Sequence, residues 1–138
     1  MLAARLLGEL RTKLGGLEIA HARRVAARVR GTNDARVIAA ALLHDVLEKA
    51  DVSANELRAL TGDTGVVALV EVLSRRDGES EPDYLSRCAA DPMALVVKRV
   101  DLEDKLVADD SVVPPVVAEK IRQEARDRLA LLDGLAPG

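Results

Sequence analysis

The stretch ARVIAAALLHDVLEKA, residues 35–50, decides the fold of this chain. Its apolar side chains recur at the spacing of an α-helix, which predicts a helix that lasts to about Lys49. The ionisable residues His44 and Asp45 directly follow the apolar run. Burial of even one neutral polar group without a partner costs roughly 2–7 kcal/mol, and burial of a charge costs more. Other segments of the chain must therefore bring partners to this pair.

Helical patterns with clear end signals continue along the whole chain. Leucines from Leu2 to Leu14 predict a first helix, which Gly15 and Gly16 end. A second helix is predicted from Leu17 to about Arg30, and Asn33 or Asp34 caps a third. A short helix is opened by a Ser53/Glu56 capping box and closed at Gly62, and another spans residues 64–74. The remaining predicted helices are a short one with Tyr84, one started by Asp91 and Pro92, and a last one over about residues 114–133. The polar residues 75–82 predict a loop. The sequence thus predicts one all-α domain over residues 1–138, a compact bundle of about six to eight helices.

The composition indicates how such a bundle is packed. Hydrophobic residues make up 49% of the chain but aromatic residues only 1%, so Leu, Val, Ala and Ile must build the core. A chain of 138 residues buries enough apolar surface to fold without disulfides or metals. The single cysteine, Cys88, is predicted to be a small buried apolar residue.

Charge and hydropathy exclude several classes of partner. A net charge of -3 and a pI near 5.4 argue against binding to nucleic-acid backbones, and bases would find almost no aromatic side chain to stack on. No apolar run approaches the roughly 18 residues of a membrane span, and no signal peptide is recognisable. We therefore expect a cytoplasmic protein that binds neither nucleic acid nor membranes.

Two other polar residues can reach the His44–Asp45 pair. His21 lies in the preceding predicted helix, and helices joined by a short connection normally pack side by side. Asp101 interrupts an apolar helix in the same way as His44 does. Two imidazoles and two carboxylates suit Mn, Fe, Co, Ni or Zn, and such an ion activates water and polarises phosphoryl oxygens. From spacing alone, a metal site and a set of mutually satisfied core polar groups remain equally compatible with this pattern.

Further charged residues are predicted on the same helical faces. Glu48 lies one turn beyond His44 and Asp45, so its carboxylate shares their face. Lys98 and Lys105 lie near Asp101 on one face of their helix. These residues are the candidates for binding and activating whatever approaches the site.

The order of the four polar residues resembles the H…HD…D signature of the HD-domain superfamily, metal-dependent phosphohydrolases with an all-helical fold. The stretch AALLHDVLEKADVSANEL is similar to the hydrolase domain of RelA/SpoT-type enzymes. The stretch LSRRDGESEPDYLSRCAADPMALVVKRVDLEDKL is similar to the small stand-alone members of that group. The resemblance covers about residues 21–106, which is most of the chain.

This resemblance implies a metal centre and a class of substrate. The matching residues bind a divalent ion, commonly manganese; here they are His21, His44, Asp45 and Asp101. The substrate would be a nucleotide or a similar small phosphorylated molecule, and (p)ppGpp-like pyrophosphate hydrolysis is included. Glu48 would belong to the acid pair that positions and deprotonates the attacking water.

The resemblance also assigns candidate phosphate contacts, each with an ordinary alternative. Lys98 either binds phosphate or pairs with Asp101. Arg75 and Arg76 either clamp phosphate from the loop or are solvated charges. Tyr84 is expected to pack in the core, and Arg24 is expected on the solvated surface of its helix.

Three departures from the family pattern affect activity. Lys49 stands where the family has the second acid of its catalytic pair, and Lys105 stands where the family has an asparagine that contacts phosphate. The N-terminal segment rich in Arg, Lys and Gly is expected to be missing, replaced by a leucine-patterned helix. Two hypotheses follow: a metal-dependent phosphohydrolase, or a catalytically weak or inactive module that binds a nucleotide or a protein partner. The last predicted helix either covers the core or contributes to a homodimer.

Overall fold

The fold, taken from a computed structural model, is all-α, as predicted. The structure describes residues 2–107 and 112–135, and no strand occurs among them. The helices are α1 Leu2–Leu7, α2 Glu18–Val29, α3 Ala35–Leu43, α4 Val46–Lys49, α5 Ala54–Thr61, α6 Thr64–Val72, α7 Glu81–Ala89, α8 Pro92–Val107 and α9 Pro115–Leu135, with a 3-10 turn Arg30–Thr32 after α2. Within the described residues, eight of these helices are longer than the single turn α4.

Local side-chain chemistry begins and ends several helices as the sequence predicts. The Asp34 carboxylate accepts hydrogen bonds from the first backbone amides of α3. Ser53 and Glu56 form the predicted capping box at the start of α5, and Gly62 ends that helix with a φ of 65°. The Asp91 carboxylate caps α8 by accepting from the amides of Met93 and Ala94. These helix ends are therefore fixed by short-range interactions.

The predicted first helix does start at Leu2, but its predicted extent to Leu14 is wrong. Helix α1 ends at Leu7, and Gly8 follows with a φ of 51°, a conformation that breaks the helix. Residues 8–17 form a loop, and within it a turn at residues 11–16 is closed by a hydrogen bond from the Thr12 amide to the Gly16 carbonyl (2.8 Å). This turn, RTKLGG at residues 11–16, has the Arg, Lys and Gly content that was expected to be missing. The replacement of that segment by a helix is thus also wrong.

The single helix predicted across residues 35–49 is interrupted. Helix α3 ends at Leu43, and Asp45 takes a ψ of -1°, which turns the chain before α4 begins. The His44 imidazole Nδ1–H donates to the Ala41 carbonyl (2.6 Å) at this break. The polar pair therefore sits at a bend between two helices rather than within one.

Two groups of apolar side chains make up the core. The larger group joins helices α1 to α6 and α8, and includes the fully buried Val25, Ala41 and Val97. The smaller group joins α7, α8 and α9 around Leu85, Cys88, Leu102 and Leu132. Full burial of one such aliphatic side chain stabilises the fold by about 1.5–3 kcal/mol.

Helix α8 belongs to both groups, so packing on two sides fixes the position of Asp101. Helix α9 covers the core through the fully buried Leu132, which is one of the two roles predicted for the last helix. Cys88 is fully buried, which confirms its predicted packing role. Among the described residues, none of the helices combines the length and apolar character needed to cross a membrane.

Candidate metal centre and its cavity

Four side chains predicted as metal ligands meet at one point between α2, α3 and α8. One donor atom from each of His21, His44, Asp45 and Asp101 lies within 4.8 Å of all the others. The Asp101 Oδ1 atom lies 2.8 Å from the His21 Nε2 and 3.2 Å from the His44 Nε2. The Asp45 Oδ2 atom lies 3.2 Å from the same His44 nitrogen. Residues that are 80 positions apart in the sequence are therefore neighbours here.

Both imidazoles are oriented by their second ring nitrogen. The His44 Nδ1–H is used by the Ala41 carbonyl, and the His21 Nδ1–H donates to the Asp104 carboxylate at 2.6 Å. Each ring consequently turns its Nε2 toward the shared point. Histidine ligands of metals commonly have this arrangement, because the outer hydrogen bond fixes the tautomer and raises the basicity of the ligand.

Arg24 supports this orientation from behind. Its guanidinium donates two hydrogen bonds to the Asp104 carboxylate, at 2.8 and 3.0 Å. The Asp104 side chain is 1% exposed, so the contact is formed largely out of solvent. The expectation that Arg24 is a solvated surface residue is wrong, since its helix turns it toward α8. Arg24, Asp104 and His21 form a continuous hydrogen-bonded chain that leads to the candidate metal position.

The donor set fits a divalent transition metal. It consists of two imidazole nitrogens and two carboxylate oxygens, all on buried or nearly buried side chains. Mn, Fe, Co, Ni and Zn all accept such mixed ligands, and a six-coordinate ion would keep positions open for water and substrate. The ligands are compatible with several of these metals and do not select one of them.

The titration behaviour of the cluster reflects its density of carboxylates. Burial by itself lowers the pKa of His21, but hydrogen bonds to Asp101 and Asp104 outweigh burial and raise that pKa to about 9. Burial likewise opposes protonation of His44, and Asp45 and Asp101 still raise its pKa well above the usual value. A metal ion must therefore displace protons from these imidazoles when it binds.

Lys98 holds the far side of Asp101. Its ammonium donates to the Asp101 Oδ2 at 3.0 Å, which leaves Oδ1 directed at the two imidazoles. The same ammonium lies 4.9 Å from the centre of the Tyr84 ring, where a cation is attracted by the ring face. Tyr84 is buried and donates its hydroxyl to the Leu73 carbonyl, so its predicted packing role is confirmed. In this structure Lys98 thus forms the predicted pair with Asp101.

A cavity of about 220 Å³ opens above the four donors. Among its lining residues are seven Lys or Arg side chains, namely Lys13, Arg24, Lys49, Arg75, Lys98, Lys105 and Arg128, and six Asp or Glu side chains, namely Glu18, Asp45, Glu48, Glu81, Asp101 and Asp104. Thr12, Lys13 and Leu14 of the N-terminal turn supply part of the wall. In a protein that is acidic overall, Lys and Arg side chains thus outnumber Asp and Glu side chains by one around this cavity.

The two loop arginines have different positions. Arg75 lines the cavity, pairs with Glu81 and donates its backbone N–H to the Glu48 carboxylate at 2.5 Å. Arg76 is exposed and is not among the residues that line the cavity, although its backbone N–H donates to Glu79 (3.1 Å). The phosphate-binding role of Arg76 remains a prediction that this geometry does not support.

Lys105 reaches the cavity from α8. Burial lowers the pKa of its ammonium, and the nearby Lys98 lowers it further, while Asp101 opposes both. Within residues 2–107 and 112–135, the structure gives this ammonium no hydrogen bond or ion pair. An anion entering the cavity would supply the partner that the protein leaves out.

Glu18 is a cavity residue that the sequence analysis missed. It is the first residue of α2, its side chain is 1% exposed, and one carboxylate oxygen accepts a hydrogen bond from Lys49. The other oxygen is buried without a partner among the described residues. Burial and the nearby Asp45 raise the pKa of this carboxyl group. A signal was present, because Glu18 precedes His21 by three residues and so shares its helical face.

Comparisons with known proteins bear on the family and the fold of this chain. A family model described as HD domain matches residues 1–101. A solved structure of a metazoan ortholog of SpoT, which hydrolyses ppGpp and plays a role in starvation responses, superposes with a TM-score of 0.67. That protein is 23% identical, and the match covers 97% of this chain and 89% of the other. A search of curated proteins finds no match. At this identity, the structural likeness shows a shared fold.

Proposed function

This chain belongs to the HD-domain family, and we propose that it is a divalent-metal-dependent phosphohydrolase that acts on a nucleotide or a similar small phosphorylated molecule. The observation that carries the proposal is the convergence of two imidazoles and two carboxylates at the base of a cavity whose wall includes seven Lys and Arg side chains. A hydrolytic site for phosphate esters needs both features, because it must activate water and receive an anionic substrate.

The ligands proposed for the ion are His21, His44, Asp45 and Asp101. Manganese is the proposed metal, and Fe, Co, Ni and Zn fit the same donors. When bound, the ion would polarise a phosphoryl oxygen and lower the pKa of a water molecule. Substrate binding and proton transfer would depend on the protein's own side chains.

Substrate charge would be received by the cations of the cavity wall. The Lys105 ammonium has no partner among the described residues, and the Arg75 guanidinium reaches the cavity beside Glu81. A guanidinium matches phosphate oxygens in a bidentate way, whereas an ammonium acts as a point charge. We assign Lys105 and Arg75 to phosphate binding. Lys98 orients Asp101 and adds positive charge beside it.

Glu48 is the proposed acceptor for the proton of the attacking water. It lies at the cavity, and the Arg75 amide holds one of its carboxylate oxygens. That hydrogen bond fixes the direction of the carboxylate before substrate arrives, which lowers the cost of reorganisation. General base catalysis of this kind contributes about 10²–10⁴-fold to a rate.

The structural match to a ppGpp hydrolase motivates a finer substrate proposal. We include (p)ppGpp-like molecules, which carry a pyrophosphate, among the substrates to be tested first. A competing function, a binding module with little or no turnover, is favoured by one observation. Lys49 places a cation at the cavity, where the family pattern has an acid.

The experiment is metal analysis followed by a hydrolysis screen with the identified metal. The purified protein is expected to contain a stoichiometric divalent ion and to release phosphate or pyrophosphate from at least one nucleotide. His44→Ala and Asp101→Ala should lose both properties. If metal-loaded protein binds nucleotides but hydrolyses none of a broad panel, the binding-module function replaces the hydrolase. Gain of turnover in Lys49→Asp/Lys105→Asn would then identify the lost catalytic groups.

A further inference from the structure

Glu18 combines two properties that are costly unless something uses them. Its side chain is 1% exposed, and Lys49 satisfies only one of its two carboxylate oxygens. A buried charged oxygen without a hydrogen bond destabilises a protein by about 1–3 kcal/mol or more. The cavity is the side on which a partner can approach, since Glu18 is one of its lining residues.

The main chain and Lys49 hold Glu18 in a fixed place. Its backbone N–H donates to the Leu10 carbonyl at 2.8 Å, which ties the start of α2 to the N-terminal turn. The Lys49 ammonium links the carboxylate to α4. The Glu18 carboxylate is therefore held between the two segments that carry His21 and Asp45, at the edge of the cavity.

The ion pair between Glu18 and Lys49 explains how a metal-binding site tolerates a lysine at this position. An unpaired ammonium at this position would repel the metal ion and compete with it for Asp45. The ion pair cancels that charge and still leaves one carboxylate oxygen available. The structure thus places an acid beside the metal centre on a helix different from the one in which the family pattern would place it.

We propose that Glu18 is the second acid of the catalytic site, and that its free oxygen accepts a hydrogen bond from the attacking water while Glu48 takes the proton. This inference rests on the proposed phosphohydrolase function. Glu18 then sets the position of the water, and Lys49 sets the position of Glu18. The alternative is that Glu18 only neutralises Lys49.

The test compares Glu18→Gln with two double variants and a matched control. Gln keeps the size of the side chain and removes its charge, so at saturating manganese we expect kcat to fall by about 10–100-fold with KM close to the wild-type value, while the unpaired Lys49 weakens manganese binding. Glu18→Gln/Lys49→Asp should recover most of the rate, because it returns a carboxylate to the cavity from α4. Glu18→Gln/Lys49→Met should stay as slow as the single variant. Glu71→Gln, on an exposed glutamate that pairs with Arg58, should match the wild type.

Each other outcome overturns the inference. Recovery in Glu18→Gln/Lys49→Met would show that Glu18 only neutralises a lysine. A rate within about twofold of the wild type in Glu18→Gln at saturating manganese would remove its role in the reaction, and manganese binding that stays weak in Glu18→Gln/Lys49→Met, where no lysine remains, would make it a support for the ligands instead. Absence of turnover in metal-loaded wild-type protein would overturn the proposed function itself, and the inference with it. Thermal melting of every variant checks that the fold is kept.

Discussion

The base of the cavity and its cationic wall are built in different ways. At the base, three of the four candidate ligands, His21, His44 and Asp101, are held by hydrogen bonds with residues outside the set, and all four sit on or beside helices fixed by the core. In the wall, Arg75 comes from a loop, and Lys105 has no partner among the described residues. The base is preorganised for a divalent ion, whereas the wall has charges left to satisfy. Under the proposed function, this difference separates a tightly held metal ion at the base from a substrate that exchanges at the wall.

Removal of a ligand at the base should have the largest effect. Asp101→Ala deletes the carboxylate that faces both imidazoles, so we expect stoichiometric metal to be lost. The loss of affinity should exceed the roughly 10–100-fold that is typical when only an outer partner is removed. Metal content after purification without added metal measures it. Normal metal content in this variant would show that the ion binds elsewhere.

Asp104→Asn should break the support behind the base. The amide carries no charge and has one accepting oxygen in place of two, so it cannot hold both the His21 imidazole and the Arg24 guanidinium as the carboxylate does. The orientation of the imidazole is then less firmly fixed. We expect manganese affinity, measured by calorimetry, to fall by about 10–100-fold. Asp133→Asn, on an exposed aspartate that pairs with Arg99, is the matched control. Equal affinities in the two variants would contradict the role of Asp104.

The pH dependence of stability should distinguish the base with and without metal. The pKa of His21 is raised from 6.5 to about 9, so its contribution to the metal-free protein is fully present below pH 6.5 and is lost as pH rises through about 9. The free energy of unfolding in the presence of a chelator should fall across this window. Manganese should reverse the trend, because a neutral imidazole is the form that binds it. Urea unfolding at both ends of the window tests this, and stability that rises without metal would contradict it.

In the wall, Lys105→Met should separate stability from binding. Removal of a half-buried ammonium without a described partner should keep or slightly raise the melting temperature, by roughly 1–4 °C. Affinity for inorganic pyrophosphate in the metal-loaded protein should fall by about tenfold, equivalent to about 1.4 kcal/mol. Lys120→Met, on an exposed lysine of α9, is the control. A loss of stability without a loss of affinity would assign Lys105 to the fold.

The smallest expected effect compares the two loop arginines. Arg75→Ala removes a guanidinium that lines the cavity, so pyrophosphate affinity should fall several-fold, by up to about tenfold. Arg76→Ala removes an exposed guanidinium outside the lining and should cost less, about twofold at most. Calorimetry on both variants tests the ranking. A larger loss for Arg76 would show that the loop rearranges around substrate.

Much of the helical layout could be predicted from the sequence because its signals are local. The caps at Asp34, Ser53 and Asp91 each act within three residues, so their outcome does not depend on the rest of the fold. The extent of the first helix was mispredicted because leucine spacing suggested that it continues to Leu14, whereas it ends at Leu7, seven residues earlier, where Gly8 follows. The turn at residues 11–16 instead supplies part of the cavity wall, and this position depends on tertiary packing.

The candidate site shows the same division between features set by local sequence and features set by tertiary packing. The sequence by itself determined that His21, His44, Asp45 and Asp101 are polar residues within or next to helical segments that pack in the core, and that pattern requires partners wherever the helices pack. Only the tertiary structure decided that Asp104 and Arg24 hold His21, and that Glu18 lies against Lys49. The physical reason is that residue types and helical periodicity are properties of short segments. Contacts across 80 or 31 positions depend on how those segments pack around a shared core.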